Sequence, residues 1–150
     1  MGSQYSFEMS EWKTEPDHIE FEASGLQALV LRAGGLGHLT GYVGVPKNHV
    51  LFGLDMGDIP SEIPAHKGWT YASDLNPATG KADGNWWIRF DCAHAGDLIP
   101  AMANFDTTMA TAFARERAVY RNVDYVRKTV EQAADAVKNY MGPNVALFRA

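Results

Sequence analysis

The chain has 150 residues, a mass of 16.5 kDa and a formal net charge of −5, which together predict one acidic domain. Hydrophobic residues make up 46% of the chain and charged residues 21%, a balance that excludes wholesale disorder. The acidic balance argues against a protein that binds long nucleic acids, and no apolar run approaches the ~20 residues of a membrane span. The single cysteine excludes internal disulfides and multi-cysteine zinc sites, and with no signal-peptide pattern it predicts a cytoplasmic protein.

Residues 1–17 are expected to form a flexible or edge segment ahead of a single domain over 18–150. Residues 18–32 predict a hairpin, because apolar and polar residues alternate up to a tight turn at Ser24 and Gly25 and a second, more apolar strand follows. The domain therefore begins with antiparallel strands.

Three further strands follow in the predicted order. A β-branched and aromatic stretch predicts a third strand that ends at Pro46. Residues 47–64 show no sustained period and predict a long loop of the kind that often carries function. Residues 66–73 and 86–91 predict the fourth and fifth strands, joined by a turn-rich connection.

The last predicted element is a long helix. Asn122 is a suitable N-cap, and Gly142 with the proline after it stops the helix. Apolar residues recur on one face at helical spacing: Val123, Val126, Val130, Ala133, Ala134, Val137 and Met141. A short helix is also expected over 107–117. The predicted fold class is α+β, with an antiparallel or mixed sheet of about five strands and the long C-terminal helix packed on one of its two faces.

The densest group of chemically active side chains lies on and just after the predicted fifth strand. Alternation places Trp87, Arg89 and Asp91 on one face, so an aromatic surface, a cation and an anion lie together. His94 and Asp97 follow on a loop. An arginine beside a tryptophan suits a planar anionic ligand. The alternative is that the polar residues only satisfy backbone groups of the loop.

A second group lies in the predicted fourth strand, where His66, Lys67, Trp69 and Tyr71 come within six residues. If this strand pairs with the fifth, His66 is brought towards the first group. A structural histidine is the alternative interpretation. Three more ligand-binding candidates lie elsewhere in the chain: Tyr42, His49 and Arg121.

Acid–base catalysis is compatible with the same residues. His66 and His94 could act as acid and base, with Asp91 or Asp97 orienting one of them or, alternatively, holding a metal ion. No histidine spacing supports a metal site and no cofactor motif is present, so neither a metal nor a cofactor is expected. Cys92 could pair with His94 as a thiolate, but a small buried hydrophobic residue is the preferred interpretation.

Four ordered motifs carry a family resemblance. They are Gly-Tyr-Val-Gly-Val-Pro-x-x-His at 41–49, His-x-Gly-x-Thr-Tyr at 66–71, Trp-Trp-x-x-Phe-Asp-Cys-Ala-His-x-x-Asp at 86–97 and Tyr-Arg-x-Val-x-Tyr-Val at 120–126. Together they resemble a family of small phage- and prophage-encoded proteins. The resemblance departs at Lys67, where a second glycine is expected. Phage proteins of this size include ones that sequester or cleave nucleotide signals of host immunity, so the resemblance implies a nucleotide-like ligand.

The leading hypothesis is a small-molecule binding protein that sequesters a nucleotide-like ligand in the host cytoplasm, with aromatic rings against the base and arginine against phosphate. The first alternative is a hydrolase or phosphodiesterase for the same ligand class, with His66, His94 and Asp97 as its catalytic residues. The second alternative is a phage structural or host-protein interaction module. No membrane partner or long nucleic acid is expected, and a homo-oligomer is compatible with the sponge hypothesis.

Overall fold

Five antiparallel strands form one sheet in the computed structural model, which describes residues 11–103 and 118–142. The strands are β1 (His18–Ala23), β2 (Leu26–Arg32), β3 (Leu39–Pro46), β4 (Tyr71–Leu75) and β5 (Ala82–Asp91), in the spatial order β1-β2-β3-β5-β4. The helix α1 (Val123–Asn139) packs on this sheet, and 3₁₀ turns lie at Glu11–Lys13, Met56–Asp58 and Pro100–Met102. The predicted α+β fold is confirmed.

The first three strands follow the sequence pattern closely. Ser24 (φ 52°) and Gly25 (φ 79°) form the turn between β1 and β2, as the hairpin prediction requires. β3 ends at Pro46, and the long stretch after it contains turns and one 3₁₀ helix.

The prediction for the fourth strand is wrong at its start. The strand was expected over 66–73, but β4 begins at Tyr71 because Lys67 (φ 62°) and Gly68 (φ 96°) turn the chain with left-handed backbone conformations. His66 therefore lies before the strand, and the strand-face alternation expected for it does not apply.

The two faces of β5 are confirmed, although the strand starts at Ala82 rather than at 86. Ile88 and Phe90 are buried on the face that α1 covers, and Trp86 packs against the same core. Trp87 is buried on the opposite face with Leu29 and Tyr42. The structure thereby identifies the face that the helix covers.

The helix α1 begins as predicted. The side chain of Asn122 accepts a hydrogen bond from the Tyr125 N–H at 2.9 Å, which caps the first turn. Five residues of the predicted apolar face are fully buried: Val126, Val130, Ala133, Ala134 and Val137. Met141 lies beyond the end of the helix and is 67% exposed, so it is not part of that face. The short helix expected over 107–117 lies outside the described residues.

The acidic stretch ahead of β1 is tied to the sheet and to the start of α1. The Tyr120 hydroxyl donates to Glu15 at 2.5 Å and accepts from Arg32 at 2.9 Å, and Arg32 also donates to Asp17 at 2.6 Å. The second oxygen of Glu15 accepts the Val123 N–H at 2.8 Å, one of the backbone groups that a helix start leaves unpaired. Burial, reinforced by the bond to Glu15, raises the pKa of Tyr120.

The packing of α1 on the sheet depends on the absence of a side chain at Gly41. A Cβ atom there would lie 2.7 Å from Val130 Cγ2 and would also collide with the ring of Phe90. We expect Gly41→Ala to lower the free energy of unfolding by about 1–3 kcal/mol because it overpacks the core. Gly34→Ala is the matched control, since a Cβ at Gly34 meets nothing within 4 Å. Urea unfolding of both variants measures the difference, and equal stabilities would contradict the packing argument.

Candidate active site

A buried carboxylate organises the end of the sheet at which β5 finishes. The Asp97 side chain is fully buried and accepts hydrogen bonds from His66 Nε2 at 2.8 Å and from Arg121 Nε at 3.0 Å. The backbone N–H of His94 donates to it at 3.0 Å. Burial opposes the ionisation of Asp97, but these three donors outweigh burial and lower its pKa. The carboxylate is therefore held ionised by three separate segments of the chain.

Both ring nitrogens of His66 have partners. Its Nε2 faces Asp97, which can only accept, so the neutral imidazole carries its proton on that atom. Its Nδ1 then accepts from the Tyr125 hydroxyl at 2.7 Å. The His66 side chain is 3% exposed, whereas Tyr125 is 36% exposed. The hydrogen-bond chain Asp97–His66–Tyr125 thus runs from a buried anion to a residue that is partly exposed.

A second histidine–carboxylate pair lies beside this chain. His94 Nε2 is 3.2 Å from Asp91 Oδ1, and the His94 and His66 ring centroids are 5.9 Å apart. Asp91 also accepts from the Thr70 hydroxyl at 3.0 Å and the Ala93 N–H at 3.2 Å. The His94 side chain is 29% exposed although its Nε2 is buried, whereas the whole His66 side chain is only 3% exposed.

Two arginine–tyrosine stacks flank the histidines. The guanidinium of Arg121 lies 5.1 Å from the ring centroid of Tyr125, and that of Arg89 lies 4.8 Å from the ring of Tyr71, its cross-strand neighbour. Tyr71 is 47% exposed. The stacks supply fixed positive charge and flat aromatic surface at one end of the sheet. We refer to the residues of both histidine pairs and both stacks as the polar cluster: His66, Tyr71, Arg89, Asp91, His94, Asp97, Arg121 and Tyr125.

Several residues predicted for the site do not join the polar cluster. Trp69 packs against the core and donates its indole N–H to the Ile63 carbonyl at 3.0 Å. Trp87 is 2% exposed on the face away from α1, next to a cavity of about 320 Å³ whose lining includes Glu20 and Glu22. Trp87 therefore lies beside carboxylates and apart from the polar cluster, and its predicted role in ligand binding stays a prediction.

Tyr42 and His49 also serve the fold rather than the polar cluster. Tyr42 is buried with Trp87, although it is the cross-strand neighbour of Arg89. His49 accepts the Leu51 N–H on Nδ1 and donates from Nε2 to the Val137 carbonyl at 2.6 Å, which fastens the long loop to α1. The exposed side chain of Lys67 has no bond to the polar cluster among the described residues.

Cys92 lies among the same residues, but it does not have the character of a nucleophile. It is 2% exposed, and burial raises the pKa of its thiol to about 12. Asp97 and Asp91 shift the pKa in the same direction. The thiolate needed for a cysteine–histidine pair is therefore disfavoured, and the expectation of a small buried hydrophobic residue agrees with this environment.

Sequence reasoning missed two residues of this region. Tyr125 was named only as part of the motif at 120–126, and its role depends on a contact with His66 that spans 59 positions. His38 is 8% exposed, and burial lowers its pKa. The sequence indicates His38 only by its position directly before β3, the strand that pairs with β5.

Three buried nitrogens near Asp91 have no hydrogen-bond partner in the part of the chain that the structure describes. They are Nδ1 of His38, Nε of Arg89 and Nε2 of His94, whose 3.2 Å approach to Asp91 lacks hydrogen-bond geometry. Leaving a buried polar atom without a partner costs about 1–3 kcal/mol, so three such atoms on residues at and beside the ends of β3 and β5 are a marked feature.

Comparison with protein-family models, with curated proteins and with solved structures found no match for this chain. The resemblance to small phage-encoded proteins therefore stays a prediction. Among the described residues no helix is both long and apolar enough to cross a membrane, and no three histidine, cysteine or acidic side chains are grouped to hold a metal ion.

The buried carboxylate predicts a pH-dependent stability. Because the pKa of Asp97 is lowered on folding, its stabilising contribution is present above the unfolded value of ~3.9 and is lost as the pH falls through the lower folded value. We expect Asp97→Asn to cost about 3–5 kcal/mol at neutral pH, because it breaks a buried charge pair, and progressively less as the pH falls through the lowered folded pKa of Asp97. Urea unfolding across this range measures the effect.

Asp55→Asn is the control for this experiment, since Asp55 is exposed and its side chain makes no capping bond. A stability difference between the wild-type chain and Asp97→Asn that stays constant with pH would show that the loss reflects packing rather than charge.

Proposed function

We propose that this chain is a hydrolase that acts on a small nucleotide-like phosphate ester by acid–base chemistry at the polar cluster. The observation that carries the proposal is the hydrogen-bond chain from Asp97 through His66 to the hydroxyl of Tyr125, a residue that is 36% exposed. A carboxylate that orients a histidine, which in turn faces a hydroxyl, is the arrangement that activates oxygen nucleophiles in hydrolytic enzymes.

The proton transfers follow from the tautomer of His66. In the proposed reaction, water attacks phosphorus and gives a proton to the Tyr125 oxygen, while the Tyr125 proton passes to His66 Nδ1. The resulting imidazolium is stabilised by Asp97, which stays ionised. Tyr125 is then the group that touches the reacting water, and His66 and Asp97 act through it as positioning residues.

The leaving group requires an acid on the other side of the phosphorus. His94, in its protonated form, gives a proton to the ester oxygen as the P–O bond breaks. The Tyr125 hydroxyl then carries the proton of His66 back to solvent and His94 takes one up, which restores both histidines. Asp91 orients His94, and the guanidinium of Arg121 is placed to offset negative charge on the phosphoryl oxygens.

Sequestration of an intact nucleotide is the second candidate function, and the two arginine–tyrosine stacks favour it. The argument for sequestration from base stacking is weaker, because Trp69 and Trp87, the two tryptophans expected to stack a base, are packed into the protein. If the chain were a structural or protein-interaction module, both histidine–carboxylate pairs would have no role beyond folding.

A single experiment separates these functions. The purified protein is incubated with cyclic dinucleotides and ADP-ribose derivatives, filtered, and heat-denatured, and the released compounds are chromatographed. A new product supports the hydrolase, and a nucleotide retained and then returned intact supports sequestration. If every compound passes through unbound and unchanged, both nucleotide functions are contradicted.

The hydrolase predicts a specific loss in Tyr125→Phe. Removing the hydroxyl breaks the proton path but keeps the ring, so kcat should fall by ~10²-fold or more. The unpaired Nδ1 of His66 should also lower the free energy of unfolding by about 1–3 kcal/mol, which leaves the chain folded for the assay. Tyr140→Phe is the matched control, since Tyr140 lies just past the other end of α1. Steady-state kinetics on the nucleotide that is turned over measure both variants. Equal losses in the two variants, or no loss in Tyr125→Phe, would contradict the proposed role.

A further inference from the structure

We propose that His38, Arg89 and His94 form a subsite for a tetrahedral oxyanion, on the face of the sheet away from α1 and at the end of β5. The inference rests on the proposed function in one respect, since that function makes a phosphoryl group the natural occupant. It adds His38, which the proposed reaction does not use, and it names the atoms that would bind the oxygens: His38 Nδ1, Arg89 Nε and His94 Nε2.

The three residues come from different segments that the sheet brings together. Arg89 and Asp91 lie two apart on β5 and so point to the same face, opposite Tyr42 and Thr40 of β3. His38 directly precedes β3, and its strongest charged neighbours include Asp91, Arg89 and His94. His94 reaches the same place through its approach to Asp91.

The chemistry of these nitrogens selects an acceptor that carries negative charge. The Nε–H of arginine can only donate, and a guanidinium repels a cationic ligand. Asp91 and Asp97 are the carboxylates that act on His38. Asp91 accepts from the Thr70 hydroxyl and the Ala93 N–H, and Asp97 accepts from His66, Arg121 and the His94 N–H, which offsets part of each charge. Phosphoryl and sulfate groups present several oxygens, so one such group can pair with more than one nitrogen.

Binding of an anion here is coupled to the protonation of His38. Burial lowers the pKa of His38; Asp91 and Asp97 favour its charged form, whereas Arg89 and His94 oppose it. An added anion favours the charged imidazole further, so it raises the pKa of His38. By linkage, the anion binds more tightly as the pH falls through the range in which His38 titrates.

Sulfate is the probe for the test, because it keeps its double charge over the range in which histidine titrates. The imidazole resonances of the five histidines are followed by NMR in the wild-type chain during titration with sodium sulfate, at several pH values and constant ionic strength. We expect saturable shifts of His38 and His94, a rise in the pKa of His38, and affinity that increases towards low pH. Unmoved resonances of His38 at all sulfate concentrations would overturn the subsite.

Two histidine variants test whether His38 binds the sulfate. His38→Gln should weaken sulfate binding about tenfold, the loss of one charge-assisted hydrogen bond. His18→Gln, on the exposed edge strand β1, should leave it unchanged. If His38→Gln does not fold, as judged by its circular dichroism melt, the titration of the wild-type chain decides the question.

The outcomes separate this inference from the proposed function. Sulfate binding at His38 in a protein that hydrolyses no nucleotide supports the subsite and contradicts the hydrolase. Hydrolysis without a sulfate-dependent shift of His38 contradicts the subsite and leaves the hydrolase supported. Equal sulfate affinities of His38→Gln and the wild-type chain would place the anion elsewhere.

Discussion

The buried carboxylate of Asp97 is the constraint on which the rest of this region depends. An ionised group removed from water must be met by donors, and the structure supplies them from the turn before β4, from the loop after β5 and from the approach to α1. The loop after β5 and the approach to α1 are also joined by backbone hydrogen bonds, from Leu98 N–H to the Val119 carbonyl and from Val119 N–H to the Gly96 carbonyl. Burial of one charge and this backbone pairing together position His94 and Arg121 around Asp97, and His66 completes the set of donors.

The same end of the molecule also shows why the sheet and the helix must meet closely. Gly41 lets Phe90 and Val130 approach without an intervening side chain, so α1 lies directly on β3 and extends over β2 and β1. Asn122 and Glu15 cap the first turn of the helix from two sides. A helix start held in this way can place the Tyr125 hydroxyl within 2.7 Å of a buried histidine, which a frayed terminus would not maintain.

Local pattern was enough to predict the hairpin, the end of β3 at Pro46, the two faces of β5 and the cap of α1, because each depends on residues a few positions apart. It failed at the start of β4, since Lys67 adopts a left-handed conformation that its residue type does not favour. Within the site, His66, Arg89, Asp91, His94, Asp97 and Arg121 were all predicted as candidates. Tyr125 and His38 were not, because their roles arise from contacts between distant segments.

The two histidine–carboxylate pairs differ in burial and in hydrogen bonding, and this difference suits them to different roles. His66 is buried with both nitrogens bonded, so it can move a proton only between its two partners. His94 is partly exposed. Its backbone N–H donates to Asp97, whereas its ring Nε2 approaches Asp91 without forming a hydrogen bond. A site built only to hold a ligand gains little from a histidine that no ligand can touch. A site that must pass a proton inward from a surface hydroxyl requires one, and this asymmetry favours chemistry over simple capture.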